Sequence, residues 1–220
     1  MKPKTNFTRR QFVSATSKAV AGIVALQNIP IYSASEPIAK LKKIAMVGTG
    51  HRGADMWGKS VVKNHSDYVE FVGLCDKNPG RLEFVKNHMG VSCPTFTDFE
   101  KMINETKPDT VIITTPDFTH DKFIIKALEL GCDVITEKPL TTDENKLRNI
   151  LEAQRKHNKN VTVTFNYRYS PHRAKMKELL VQERVGKITS VDFHWYLDVY
   201  HGSDYFRRWH RKREYSGTLL

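Results

Sequence analysis

"VGTGHRG", residues 47–53, holds three glycines spaced G-x-G-x-x-G. An apolar run, "KKIAMVG" (42–48), leads into it, and a helix-like segment, 53–64, follows. In a dinucleotide-binding turn the first glycine, Gly48, permits the tight bend. The second, Gly50, lets a pyrophosphate approach the main chain, and the third, Gly53, lets the helix pack close to the strand. The helix N-terminus then offers N–H groups and the positive end of its dipole to phosphate. A second apolar run, "YVEFVGLCD" (68–76), ends in Asp76, 23 residues beyond Gly53, near the ~20 expected of a carboxylate that binds a ribose. The other reading of the glycines is a purely structural turn; strand, helix and acid together point to the dinucleotide site. Asp76 would accept bonds from ribose hydroxyls and repel a 2′-phosphate, which favours NAD. Lys77 and Arg81 lie close enough to keep NADP open. His51 and Arg52 either support the pyrophosphate or face solvent.

Working outward, the same rhythm repeats. "DTVIITTP" (109–116), "CDVITEKP" (132–139) and "VTVTFNY" (161–167) are further runs of strand length, rich in Val, Ile and Thr. Helix-like segments 53–64, 79–89, 97–106, 119–130 and 142–157 separate the five runs. In "THDKFIIKALELG", Phe123, Ile124, Ala127, Leu128 and Leu130 form one stripe and Gly131 is placed to end it. Thr141–Thr142–Asp143 is a cap for the next helix. Strands alternating with helices predict parallel β-α-β units, because parallel strands need crossovers. The fold class is therefore α/β, a Rossmann doubly wound parallel sheet.

The charge pattern argues against nucleic acid. The chain has 35 Lys and Arg against 24 Asp and Glu, a net +11. Five of the bases precede the first acid, Glu36, and five more sit in "RRWHRKR" (207–213). Between these ends the charges nearly cancel, whereas a duplex-binding domain spreads a basic stripe over one face. Residues 1–35 read as an export leader: a basic start, a weakly apolar run broken by Lys18, then small residues around "YSAS". "TRRQFV" resembles the twin-arginine motif, with Arg9 and Arg10 as its pair, and predicts a periplasmic or otherwise exported protein. The alternatives are a basic amphipathic helix and a cytoplasmic protein. The apolar run is too short for a membrane span of ~20 residues, so the mature protein is expected to have none. Cys75, Cys93 and Cys132 form no C-x-x-C pair, and the histidines show no H-E-x-x-H, so no disulfide framework and no metal are expected.

Several of these pieces together resemble the Gfo/Idh/MocA family, which includes glucose–fructose oxidoreductase and inositol dehydrogenase. They are "GTGHRG", Asp76, "TTPDFTH" with Thr115, Pro116 and His120, "EKP" (137–139) and "NYRYSP" (166–171). The resemblance covers residues 42–220. It implies an NAD(P)-dependent oxidoreductase. Lys138 would reach the nicotinamide ribose and the substrate hydroxyl, polarising the latter as its proton leaves. Pro139 would carry a cis bond that points Lys138 inward, and Glu137 would line the cofactor pocket. Thr115, Pro116 and His120 would pack along the dinucleotide. Asn166, Tyr167 and Arg168 would lie in the passage between two domains, near a carbohydrate-like substrate. The plain readings are a surface lysine for Lys138 and a structural tie between domains for Tyr167 and Arg168.

On this resemblance residues 36–167 form the dinucleotide domain and 168–220 open a second, α+β domain built on a large antiparallel sheet. "PHRAKMKELLVQERVG" (171–186) reads as its helix. "KITSVDFHWYLDVYHG" (187–202) alternates, with Val191, Phe193, Trp195, Leu197 and Val199 on one face, and so predicts a strand with one buried side. Its polar face would line a sugar site, an oligomer interface or solvent. Family members continue with a general-base histidine and an acid near it. His210, in "RRWHRKRE", does not match that motif. The expectation is that these 220 residues are a fragment of a longer, homo-oligomeric enzyme, and that by themselves they bind cofactor without turnover. Two further readings stay open: an NAD-dependent glycoside hydrolase that never releases its cofactor, and a non-catalytic ligand sensor.

Overall fold

The computed structural model describes residues 40–216; the leader proposed for 1–35 lies outside them. Six parallel strands form one sheet in the order β3-β2-β1-β4-β5-β6: β1 (Lys42–Val47), β2 (Val69–Cys75), β3 (Thr95–Phe96), β4 (Thr110–Ile113), β5 (Asp133–Glu137) and β6 (Val161–Thr164). β1 is central, and its side chains alternate between two cores. Ile44 and Met46 pack with Leu74, Leu82, Val85 and Ile112. Ala45 and Val47 pack with Ile113, Ile124, Leu128 and Val134 on the opposite face. A strand buried on both sides, with helices on each, is the doubly wound arrangement the alternation predicts.

The helices start and stop where local chemistry directs. A π-helix, Arg52–Lys59, runs into α1 (Ser60–His65). α2 (Pro79–Met89) begins with Pro79 behind the Asn78 cap, whose side chain accepts from the Arg81 N–H, and ends on left-handed Gly90. α3 (Phe99–Thr106) and α5 (Glu144–His157) are capped by Asp98 and Asp143, which accept from the N–H of Lys101 and Lys146. α4 (His120–Glu129) follows a short 3₁₀ turn, Asp117–Thr119, and Gly131, at φ +83°, reverses the chain behind it. Beyond β6 come a 3₁₀ turn (Asn166–Tyr169), α6 (Pro171–Val181) and α7 (Val199–Arg207). None of the helices among the described residues is long and apolar enough to cross a membrane.

Two expectations are corrected. The alternating stretch 187–198 is not a strand: its backbone is irregular and α7 begins at Val199. Alternation records which face a strand would bury, but a strand exists only when a neighbour takes its hydrogen bonds. Among the described residues no strand pairs with it, and both faces lie open, with Val191 82% and Tyr196 91% exposed. The helix read over 171–186 stops at Val181.

Candidate functional site

Because all six strands run the same way, their C-terminal ends lie along one edge of the sheet, and so do the loops that follow β1, β2, β4 and β5. The glycine loop is tightly held. The Gly48 N–H donates to the Cys75 carbonyl at 2.8 Å, and its φ is +91°. A Cβ there would stand 2.7 Å from the main chain of Thr114 and Thr115, so only glycine fits. At Gly53 a Cβ would meet the Gly48 carbonyl oxygen at 2.4 Å. Gly50 differs: nothing lies within 4 Å of the place its Cβ would occupy. The middle of the loop therefore presents bare main chain to open space, the feature a pyrophosphate requires. The residues present fit a dinucleotide.

Gly48, Gly50, His51, Arg52, Asp76, Thr115 and Pro116 line one cleft of about 820 Å³, with Lys77 just beyond β2 and Arg81 in the first turn of α2. Asp76 is buried; its Oδ2 accepts from the Thr49 N–H (2.8 Å), the Thr49 hydroxyl (3.1 Å) and Arg81 Nη1 (3.4 Å). Its Oδ1 accepts from the Asn78 N–H at 3.0 Å.

A second cleft, of about 1040 Å³, shares Arg52, Thr114 and Thr115 with the first. Lys138 and Pro139 enter it from the end of β5, Asn166 and Tyr167 from beyond β6, and Asp117 from the loop after β4. The Lys138–Pro139 peptide bond is cis, and Lys138 is exposed. Burial pushes the Asp117 carboxyl above its ordinary range, and the nearby charges of His120, His210 and Lys138 pull against that.

His120 is fully buried, with Nδ1 2.9 Å from the Pro139 carbonyl and Nε2 2.8 Å from the Thr115 carbonyl. It joins the loops after β4 and β5 and stands behind the clefts. Glu137 is buried too, and its carboxylate accepts from Arg52 Nε at 2.9 Å and Trp57 Nε1 at 2.7 Å. Arg52 thus faces a carboxylate across 85 positions of sequence. His51 lies in the loop beside Asp55, Nδ1 to Oδ2 3.1 Å. Arg168 does not join the cluster; its guanidinium lies over the Phe165 ring, 5.4 Å from the centroid.

Residues the sequence reading passed over also meet here. Thr49 and Asp117 stand inside the quoted motifs, yet their roles appear only in the tertiary contacts. Phe118 stacks on Tyr215 (centroids 4.4 Å apart), which seats residues 208–215 against the loop after β4 and brings His210 to both clefts. Trp195 also lines the second cleft, its ring 5.1 Å from that of Tyr167. Among the described residues no group of His, Cys, Asp and Glu is arranged to hold a metal.

Fold and site together define a dinucleotide-binding α/β domain. The chain belongs to the Gfo/Idh/MocA family: the description of an oxidoreductase family with an NAD-binding Rossmann fold matches residues 42–165. The protein YteT of Bacillus subtilis is 40% identical over 183 residues, covering 81% of this chain and 43% of its own length. Among solved structures, myo-inositol 2-dehydrogenase from Lactobacillus plantarum is 28% identical with a TM-score of 0.62, covering 68% of this chain and 43% of that one. Scyllo-inositol dehydrogenase from Lactobacillus casei, with bound NAD(H) and scyllo-inositol, is 26% identical with a TM-score of 0.62, covering 68% and 44%. The chain thus spans less than half the length of these relatives.

Proposed function

We propose that this protein is part of an oxidoreductase that moves a hydride between a CH–OH carbon of a polyol, sugar or glycoside and a nicotinamide dinucleotide, with NAD preferred to NADP. One observation carries the reading: the exposed Lys138 lies in a cleft that adjoins the glycine cleft, the two sharing Arg52, Thr114 and Thr115 in their linings. A bound nicotinamide supplies the hydride acceptor. Gly50 would admit the dinucleotide's pyrophosphate, and Asp76 would accept from its adenosine ribose. The Lys138 ammonium stabilises negative charge that develops on the substrate oxygen as its proton departs. Asn166 and Tyr167 offer an amide and a phenol for substrate hydroxyls. The inositol dehydrogenases among the relatives support a polyol-like substrate. On the same reading residues 36–167 are the cofactor domain, 168–220 open a substrate and oligomerisation domain, the assembly is a homo-oligomer, and Arg9 and Arg10 direct its export.

Calorimetric titration with NADH tests the cofactor half, and a flat heat of binding overturns it. Lys138→Met then tests the chemistry. It should leave NADH affinity within about threefold, roughly 0.7 kcal/mol, while polyol-dependent NADH formation by the full polypeptide is lost. Retained turnover would remove Lys138 from the reaction.

A further inference from the structure

The residue between the first two glycines is almost wholly inaccessible: Thr49 is 1% exposed, and both its donors point at one oxygen of Asp76. A main-chain N–H at 2.8 Å would arise with any residue at this position, but the hydroxyl at 3.1 Å is specific to Thr or Ser. With Arg81 Nη1 at 3.4 Å, the Oδ2 atom receives three donors, while Oδ1 receives only the Asn78 N–H. A carboxylate has about four lone-pair positions over its two oxygens. Oδ2 is therefore saturated, and Oδ1 keeps capacity for one more donor. A carboxylate fixed in this way, in a buried place (Asp76 is 7% exposed), cannot turn to share its oxygens differently.

We propose that Thr49 is a specificity-determining residue, which locks the Asp76 carboxylate so that its one receptive oxygen selects a dinucleotide whose adenosine ribose carries a free diol over one bearing a 2′-phosphate. The proposal rests on the dinucleotide reading above. A diol hydroxyl donates to Oδ1. A phosphate has no donor to give in its charged form and meets a carboxylate that cannot swing aside, while Arg81, its natural partner, is held by that carboxylate. With Thr49 replaced by an aliphatic residue, Oδ2 loses its side-chain donor, the carboxylate gains rotational freedom, and both arms of the selection weaken.

The test is a fluorescence titration of the whole chain with NADH and with NADPH, for wild type, Thr49→Val, Thr49→Ala and Thr49→Ser. The wild type should favour NADH. Thr49→Val should weaken NADH about tenfold, ~1.4 kcal/mol, because the loosened carboxylate meets the ribose diol poorly aligned, and leave NADPH within about twofold, roughly 0.4 kcal/mol. Thr49→Ser should restore the ratio. Thr49→Ala gives the same reading should valine disturb the fold. Equal weakening of both cofactors, a serine variant no better than valine, or a wild type that prefers NADPH each overturns the proposal. A wild type that binds neither dinucleotide removes the cofactor reading itself, which separates the two failures.

Discussion

Gly53→Ala and Gly50→Ala form a pair that separates what the loop needs for folding from what it needs for binding. At Gly53 the added methyl would sit 2.4 Å from the Gly48 carbonyl oxygen and 2.9 Å from Thr114 Oγ1, where ordinary contact begins at 3.4 Å. The carbonyl must therefore retreat by 3.4 − 2.4 = 1.0 Å. It is held in place: Thr114 Oγ1 donates to it, and the Gly48 N–H is bonded to Cys75. Overpacking costs about 1–3 kcal/mol and a lost hydrogen bond about 1 more, so roughly 2–4 kcal/mol in all. For a chain of this size that lowers Tm by about 4–16 °C. At Gly50 the methyl meets nothing, and the residue is not among those with positive φ. That substitution should leave stability unchanged or raise it by about 0.4–1 kcal/mol through the unfolded state. It should still lower NADH affinity by tenfold or more, ~1.4 kcal/mol, by filling the space a pyrophosphate enters. Thermal unfolding and NADH titration read the two effects. A Gly53→Ala protein that melts with the wild type, or a Gly50→Ala protein that binds NADH as well as the wild type, refutes the reasoning.

Asp117 gives a prediction with a defined sign. Its folded value lies above the ordinary 3.8, so the folded state holds the proton more tightly and stability falls as pH rises from that value through the raised one. Asp117→Asn cannot ionise; it should melt above the wild type at pH 7 and approach it as the carboxyl protonates below about pH 3.8, and a difference that is flat with pH would count against the desolvated carboxyl. The thiols give another. Burial pushes Cys75 up to about 12 and Cys132 up to about 11, and raises Cys93 as well. At pH 8 only about 10⁻⁴ of a thiol with a value of 12 is thiolate, so the folded chain should resist iodoacetamide at all three positions and react only on unfolding, as peptide mapping would register; rapid alkylation of Cys75 would mean that the glycine cleft opens to its floor.

Much of this architecture was legible because its determinants are local. The Asn78–Pro79 start and the Gly90 stop define α2 over 79–89, as the sequence reading has it. Gly48, Gly50, Gly53 and Asp76 announce the loop by spacing alone. β3 was missed because two residues, Thr95 and Phe96, carry no period. The alternation of 187–202 misled for the opposite reason: the period is strong, but it says nothing of a partner. The knot of Arg52 and Trp57 on Glu137 spans 80 to 85 positions and leaves no trace in local pattern. Thr49 occupies an x of the motif, a position whose spacing carries no information about its side chain.

An imidazole is a rigid ring, and in His120 one such ring stands wedged between the Thr115 carbonyl on one side and the Pro139 carbonyl on the other. The spacing between those two chain segments is consequently set by the width of an aromatic heterocycle and not by the compliance of either loop. Lys138, which forms the other half of the peptide bond to Pro139, inherits that gauge. A ligand arriving between them meets a gap of predetermined breadth, and whatever it gains there is not diminished by ordering the walls first.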